Sequence, residues 1–139
     1  MRKPPPRALV VEDHPETQFL LELMLEGSFE LTILSSARDT LRLAEHETFD
    51  VCLIDISLGT SMNGVALMKR LRRLPGYTHT PMVAMTAYYR ENGSELLDEG
   101  FDSFVQKPFD PPDVLTLLEE LSRARSPQRD RQRADKDRA

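Results

Sequence analysis

The sequence is poor in several kinds of residue, and each shortage excludes a class of protein. Its single cysteine, Cys52, cannot pair within the chain, which excludes a disulfide-stapled scaffold and favours a reduced, cytoplasmic location. No apolar run is long enough to cross a bilayer, so we expect no membrane protein. The basic, proline-containing segment Met1–Arg7 is not followed by an apolar stretch of signal-peptide length, so we expect no secretory signal.

Positive charge is scarce over most of the chain. The formal net charge is −5, but the segment 123–139 carries seven Lys or Arg and three Asp, which leaves −9 on residues 1–122. This acidity argues against a nucleic-acid-binding domain, which normally shows a basic patch. We therefore predict an extension over 1–6, one globular domain over 7–122 and a charged tail over 123–139. The tail has no large apolar residue to bury, so we expect disorder or at most a frayed helical extension.

Short apolar runs alternate with amphipathic stretches through the domain. Strands are predicted at Ala8–Val11, Glu30–Leu34, Val51–Ile54, Pro81–Met85 and Asp102–Val105. Helices are predicted at Thr17–Glu26, Ser36–Glu47, Gly64–Leu74, Arg90–Glu99 and Asp110–Ser122, with Ser36 as an N-cap. Five repeats of strand and helix predict an α/β fold, a doubly wound parallel sheet with helices on both faces.

Polar side chains follow four of the five predicted strands. Glu12 and Asp13 come after the first, Asp55 after the third, Thr86 after the fourth and Lys107 after the fifth. The carboxyl ends of parallel strands share one edge of the sheet, where ligands bind. Three converging carboxylates would repel one another without a cation, and Mg²⁺ prefers such oxygen ligands. Together with the ammonium and the hydroxyl, they predict a site for a phosphoryl group beside Mg²⁺.

Four strings, LVVEDHP, VCLIDISL, VAMTA and FVQKPF, carry a resemblance that spans residues 7–122. In this order and spacing they resemble the receiver domain of two-component response regulators. The resemblance implies a flavodoxin-like fold, with strand order 2-1-3-4-5 and five flanking helices. It also implies that Asp55 accepts a phosphoryl group from a phosphohistidine.

The resemblance assigns the metal ligands to the acidic residues. It implies that Asp13 and Asp55 bind Mg²⁺ directly, with the backbone carbonyl of Ser57 as a third protein ligand. Glu12 would support the metal mainly through water. His14 adjoins these residues, and we interpret it as a solvated loop histidine rather than a ligand.

The resemblance also implies the residues that respond to phosphorylation. Thr86 would donate a hydrogen bond to the phosphoryl oxygens and Lys107 would pair with them. Phe104 matches an aromatic residue that changes rotamer on activation, and the Lys107–Pro108 bond is typically cis in the family. Phe104 lacks the hydroxyl of the tyrosine often found there, so we expect a softer switch with the ring partly inward before phosphorylation.

The loop after Asp55 departs from the family pattern. Receivers often carry Pro four residues past the phosphoacceptor, where this chain has Gly59, and Gly eight past it. The next glycine, Gly64, is nine residues past Asp55, so the loop is one residue longer. We expect this to alter the loop's conformation rather than the chemistry.

We expect a stand-alone receiver that takes its phosphoryl group from a histidine kinase or histidine phosphotransfer protein. A downstream protein, or a second copy of the chain, would bind a surface formed by the predicted segments Arg90–Glu99, Asp102–Val105 and Asp110–Ser122, here called the output face. We expect no nucleic-acid or membrane partner. The alternatives are a relay that passes the phosphoryl group onward and a receiver-like module that binds without phosphorylation.

Two other classes of protein fit the pattern less well. An aspartate-nucleophile phosphatase needs an acid two residues after the nucleophile, where this chain has Ser57. A flavin carrier of similar topology needs a phosphate loop rich in Ser, Thr and Gly after the first strand, and that loop reads Glu-Asp-His-Pro here. We therefore expect a signalling phosphoacceptor and not an enzyme acting on small molecules.

Overall fold

A computed structural model of the chain describes residues 4–59, 62–87 and 93–138, with only the backbone described over 125–138. The strands are β1 Arg7–Val11, β2 Glu30–Leu34, β3 Val51–Asp55, β4 Met82–Ala87 and β5 Ser103–Lys107. The helices are α1 Pro15–Leu25, α2 Ala37–Ala44, α3 Gly64–Arg72, α4 Gly93–Glu99 and α5 Pro111–Arg138. All neighbouring strands pair in parallel, in the order β2-β1-β3-β4-β5, which confirms the predicted fold and strand order.

The two faces of the sheet build two separate apolar cores because successive strand residues point to opposite sides. In β3, Cys52 and Ile54 pack in the same core as Leu67 of α3, whereas Leu53 packs in the core that contains Leu21 of α1. The five residues of β3 are all buried, as expected of a central strand covered on both faces. Cys52 is fully buried, which raises the pKa of its thiol to about 12 and agrees with an inert core residue.

Local signals in the sequence set the beginnings of the helices. The N–H of Asp39 donates to Ser36 Oγ at 3.1 Å, as predicted for an N-cap, and Asn63 caps α3 in the same way. The helix α1 starts at Pro15, two residues before the predicted start, because proline is well suited to the first helical position. The predicted start of the fourth helix, at Arg90, lies outside the described residues.

Two strands extend two residues beyond their predicted carboxyl ends. β4 runs to Ala87 and β5 to Lys107, with Thr86 paired to Gln106 and Ala87 to Lys107. Thr86 and Lys107 therefore lie within paired strands rather than after them. Polar residues continue these strands because each ladder partner supplies backbone hydrogen bonds that sequence hydrophobicity does not reveal.

The last helix, α5, continues to Arg138 instead of ending at Ser122 as predicted. The backbone of the tail is helical as far as Arg138. Arginine, alanine, glutamine and lysine are good helix formers, so the segment can extend a helix without contributing an apolar face. Among the helices of the described residues, none combines the length and hydrophobicity of a membrane span.

Candidate functional site

A lysine and two buried carboxylates meet at the carboxyl edge of the sheet. Glu12 directly follows β1, whereas Asp55 and Lys107 are the last residues of β3 and β5. Lys107 Nζ donates to Glu12 Oε2 at 3.0 Å and to Asp55 Oδ2 at 3.1 Å. The side chains of Glu12 and Asp55 are 0% and 2% exposed, against 26% for Lys107. The structure therefore brings together three of the residues that the sequence predicts for the site.

The surroundings of Glu12 and Asp55 shift the pKa values of the two carboxylates in opposite directions. Burial, its largest influence, and a hydrogen bond with Asp55 raise the pKa of Glu12 above its ordinary value. Burial also acts to raise the pKa of Asp55, but Glu12, the N–H of Ser57 at 2.9 Å and Lys107 together outweigh it and lower that pKa. Asp55 is therefore held as the ionised carboxylate that a nucleophile requires.

The same arrangement stabilises the charged form of Lys107. Burial alone would lower the pKa of Lys107, but the hydrogen bond to Glu12 and the charges of Glu12 and Asp55 outweigh it and raise the pKa. Lys107 is thus a fixed positive charge that reaches both carboxylates. A group with these properties can also meet the oxygens of a phosphoryl group bound to Asp55.

One carboxylate oxygen of Asp13 accepts a hydrogen bond, and the other accepts none. Its Oδ2 accepts a hydrogen bond from the N–H of Gly59 at 2.9 Å, whereas its Oδ1 is buried without a hydrogen bond. A buried carboxylate oxygen without a donor costs free energy that a cation would recover. Ligand atoms of Glu12, Asp13, His14 and Asp55 all lie within 4.8 Å of one another, so the donors present fit a divalent ion.

Sequence reasoning missed the part that two glycines take in shaping the loop after Asp55. Gly59 supplies the N–H that holds Asp13, and the proline often found there in receivers has no N–H to donate. A Cβ atom on Gly64 would lie 2.2 Å from the backbone carbonyl oxygen of Asp55. The start of α3 therefore lies against the backbone of Asp55, and only glycine fits there.

The other sequence-predicted residues lie on β4 and β5. Thr86 is buried, and its Oγ1 is 3.4 Å from the carbonyl oxygen of Ala87, a long hydrogen bond that leaves it able to find another acceptor. Phe104 is half-buried and packs against the core that contains Leu96 of α4. The Lys107–Pro108 bond is cis, as the resemblance implied.

The family follows from comparison with known sequences. The response regulator receiver domain family matches residues 8–119 of the chain, which include the five strands except Arg7, and the acidic edge. The chain belongs to this family. Acceptance of a phosphoryl group from a histidine kinase or phosphotransfer protein and binding of Mg²⁺ at an acidic pocket are general properties of receiver domains. The cluster of Glu12, Asp13 and Asp55 lies where such a pocket is expected.

Two curated relatives show how the receiver occurs in other chains. An uncharacterized 14.6 kDa protein encoded in the sodA1 3′ region of Leptolyngbya boryana is 35% identical over 121 residues, which cover 86% of this chain and 92% of that protein. The transcriptional regulatory protein BaeR of Escherichia coli is 32% identical over 133 residues, covering 94% of this chain but 53% of BaeR. The chain thus spans about half the length of that transcriptional regulator.

Solved receiver structures share the fold. A CheY-like receiver domain protein from Methanospirillum hungatei superposes with a TM-score of 0.79 and 26% identity, covering 89% of this chain and 98% of that one. The receiver domain of a Pseudomonas aeruginosa sensor histidine kinase gives a TM-score of 0.76 and 25% identity, over 85% of this chain and 98% of that one. That second structure has a magnesium ion coordinated in its active-site cleft.

Proposed function

We propose that the protein is a cytoplasmic phosphorylation switch whose phosphoacceptor is Asp55. The phosphoryl group comes from a histidine kinase or a histidine phosphotransfer protein, and its arrival changes binding of a downstream protein. The observation that carries the proposal is the contact between Asp55 Oδ2 and Lys107 Nζ at 3.1 Å, on a carboxylate that is buried yet kept ionised. The chain acts as a signalling phosphoacceptor rather than as an enzyme that turns over small molecules.

In the transfer of the phosphoryl group, this chain mainly positions the reacting carboxylate. A carboxylate oxygen of Asp55 attacks phosphorus, the bond from phosphorus to the donor imidazole nitrogen breaks, and an acyl phosphate forms. Asp55 needs no general base because the nucleophile is already ionised. The N–H of Ser57 holds Asp55 Oδ1 at 2.9 Å, which fixes the orientation of the carboxylate.

Positive charge must lie close to the phosphoryl oxygens during transfer, because these oxygens carry negative charge. Lys107 supplies one such charge, and Thr86 supplies a hydroxyl donor once its weak bond to Ala87 is given up. A bound Mg²⁺ would supply the remainder, held by Asp13, Asp55 and the carbonyl of Ser57, with Glu12 acting through water. The buried Oδ1 of Asp13, which accepts no hydrogen bond, supports this ligand set.

Exposed apolar residues suggest where the protein partners bind. Phe19, Leu20 and Leu23 are exposed on α1, which begins two residues after Asp13 and so lies next to the acidic edge. We assign this surface to the phosphoryl donor. The downstream protein or a second copy of the chain binds the output face, where Leu97 of α4 is also exposed.

The test is phosphorylation by a small donor. The protein is incubated with Mg²⁺ and acetyl phosphate or phosphoramidate, and intact-mass spectrometry measures a base-labile phosphoryl adduct. We expect one adduct on the wild type and on the control Asp39→Asn, whose side chain is exposed on α2, and none on Asp55→Asn. An adduct on Asp55→Asn at the wild-type rate would contradict the assignment. Transfer of the label to a histidine phosphotransfer protein would support the relay alternative.

A further inference from the structure

His14 is turned toward the acidic cluster instead of the helix that it precedes. It occupies the N-cap position of α1, where a polar side chain commonly accepts a hydrogen bond from the first turn, but its side chain makes no such bond. Its Nδ1 lies 3.0 Å from Glu12 Oε1 and 3.2 Å from Asp13 Oδ1. Its backbone N–H also donates to Glu12 Oε1, at 3.3 Å.

His14 Nδ1 shares a hydrogen bond with Glu12 and belongs to the group of side-chain atoms that could hold a metal ion. Its contact with Asp13 involves Oδ1, the buried oxygen that has no hydrogen bond. The ligand atoms of His14, Glu12, Asp13 and Asp55 lie within 4.8 Å of one another. Two donors that each lie about 2.0–2.2 Å from one ion are at most about 4.4 Å apart, so a contraction of a few tenths of an ångström suffices. The imidazole is 66% exposed at its side chain and has room for that adjustment.

We propose that His14 Nδ1 is an additional ligand of the divalent cation, and that it shifts the preference of the site from Mg²⁺ toward first-row transition ions such as Mn²⁺ and Co²⁺. Mg²⁺ keeps oxygen ligands and water, whereas imidazole nitrogen suits transition ions, so one nitrogen changes relative rather than overall affinity. The inference rests on the proposed function only where it places a cation beside Asp13 and Asp55.

Mn²⁺ is the probe because its electron spin reports directly bound nitrogen. Electron spin-echo envelope modulation is recorded on Mn²⁺-loaded wild type, His14→Asn and the control His79→Asn, which alters an exposed histidine distant in sequence from the site. We expect ¹⁴N modulation from imidazole in the wild type and the control, and its loss in His14→Asn. The dissociation constant for Mn²⁺ should rise by about tenfold in His14→Asn, the lower end for losing a side chain that supports a metal, while that for Mg²⁺ stays unchanged.

Two results would overturn the inference. One is the absence of nitrogen modulation in the wild type. The other is an equal loss of Mn²⁺ and Mg²⁺ affinity in His14→Asn, which would make His14 a residue that positions Glu12. The phosphoryl adduct on Asp55 is measured separately in Mg²⁺ alone. Nitrogen modulation without an adduct supports the ligand and contradicts the proposed function, and an adduct without modulation does the reverse.

Discussion

Replacing Lys107 with methionine removes the only cation within hydrogen-bond distance of two buried carboxylates in the described part of the site. Lys107 Nζ is 3.0 Å from Glu12 Oε2 and 3.1 Å from Asp55 Oδ2, and both acids are almost fully buried. Methionine keeps a similar length and volume, so the change deletes charge rather than packing. The expected result is a destabilised fold in the absence of divalent ions.

The size of the loss in stability depends on the two buried carboxylates that remain without Lys107. Removing one partner of a buried ion pair costs about 3–5 kcal/mol because the other charge is left uncompensated. Here the lower end applies, about 3 kcal/mol near neutral pH, because Glu12 already has a raised pKa and takes up a proton at modest cost. Without Lys107 the pKa of Asp55 also rises, whereas in the wild type it is lowered.

The dependence on pH has a definite sign. The wild type gains stability from Asp55 above the ordinary pKa of that carboxyl and loses it as the pH falls through the lowered folded value. In Lys107→Met both carboxylates lose the lowering effect of the ammonium, so their folded pKa values rise relative to the wild type and the folded variant binds more protons than the folded wild type. The deficit of the variant should therefore shrink as the pH falls from neutral toward about pH 5.

Urea unfolding in a chelator, followed by circular dichroism at both pH values, measures the free energy of unfolding. The matched control is Lys69→Met, because Lys69 forms a half-exposed ion pair with Glu99 that should contribute no more than about 1 kcal/mol. Added Mg²⁺ should recover part of the loss in Lys107→Met and none in the control. A loss no larger than in the control, or one independent of pH, would refute the reasoning.

Three further predictions test the loop, the switch and the tail. Gly64→Ala should cost about 1–3 kcal/mol in urea unfolding because its Cβ would meet the carbonyl of Asp55, whereas Gly27→Ala, with nothing within 4 Å, should not destabilise; equal effects would contradict this account of the loop. Phe104→Ala should still form the Asp55 adduct yet lose the amide-exchange changes that beryllofluoride and Mg²⁺ induce on the output face, and retention of those changes would exclude Phe104 as the coupling residue. Truncation after Ser122 should alter stability by no more than about 0.5 kcal/mol, and a salt-sensitive DNA affinity lost on truncation would show that the basic tail has a function.

The sequence predicts the elements well where the signal is local. The strand Glu30–Leu34 has the predicted bounds because its alternation of polar and apolar residues is contained within it. The N-cap at Ser36 was predictable for the same reason, since the accepting side chain and the N–H that donates to it lie three residues apart. The ends of β4 and β5 were not, because Thr86 and Lys107 join the sheet through a partner strand that is distant in the sequence.

The convergence of the acidic residues was also predictable, because parallel strands deliver their carboxyl ends to one edge. The orientation of the neighbouring groups was not predictable from the sequence. The N–H that Gly59 gives to Asp13 and the approach of Gly64 to Asp55 depend on the path of one loop, which no periodicity encodes. His14 was interpreted as a solvated loop histidine, and its side chain is 66% exposed, but the turn before α1 also places its Nδ1 3.0 Å from Glu12 Oε1.

The close contact between Gly93 and Phe104 connects the site to the output face in a way that the sequence did not suggest. A Cβ atom on Gly93 would lie 2.0 Å from Phe104 Cζ, so the ring fills the space that a side chain at the start of α4 would take. Gly93 looks in the sequence like a residue that only weakens the helix, at about 1 kcal/mol relative to alanine. Because the ring lies against the first turn of α4, Phe104 cannot move inward without changing what that turn packs against. Since β5 carries both Phe104 and Lys107, we expect a shift of this strand upon phosphorylation to affect the acidic edge and the start of α4 together.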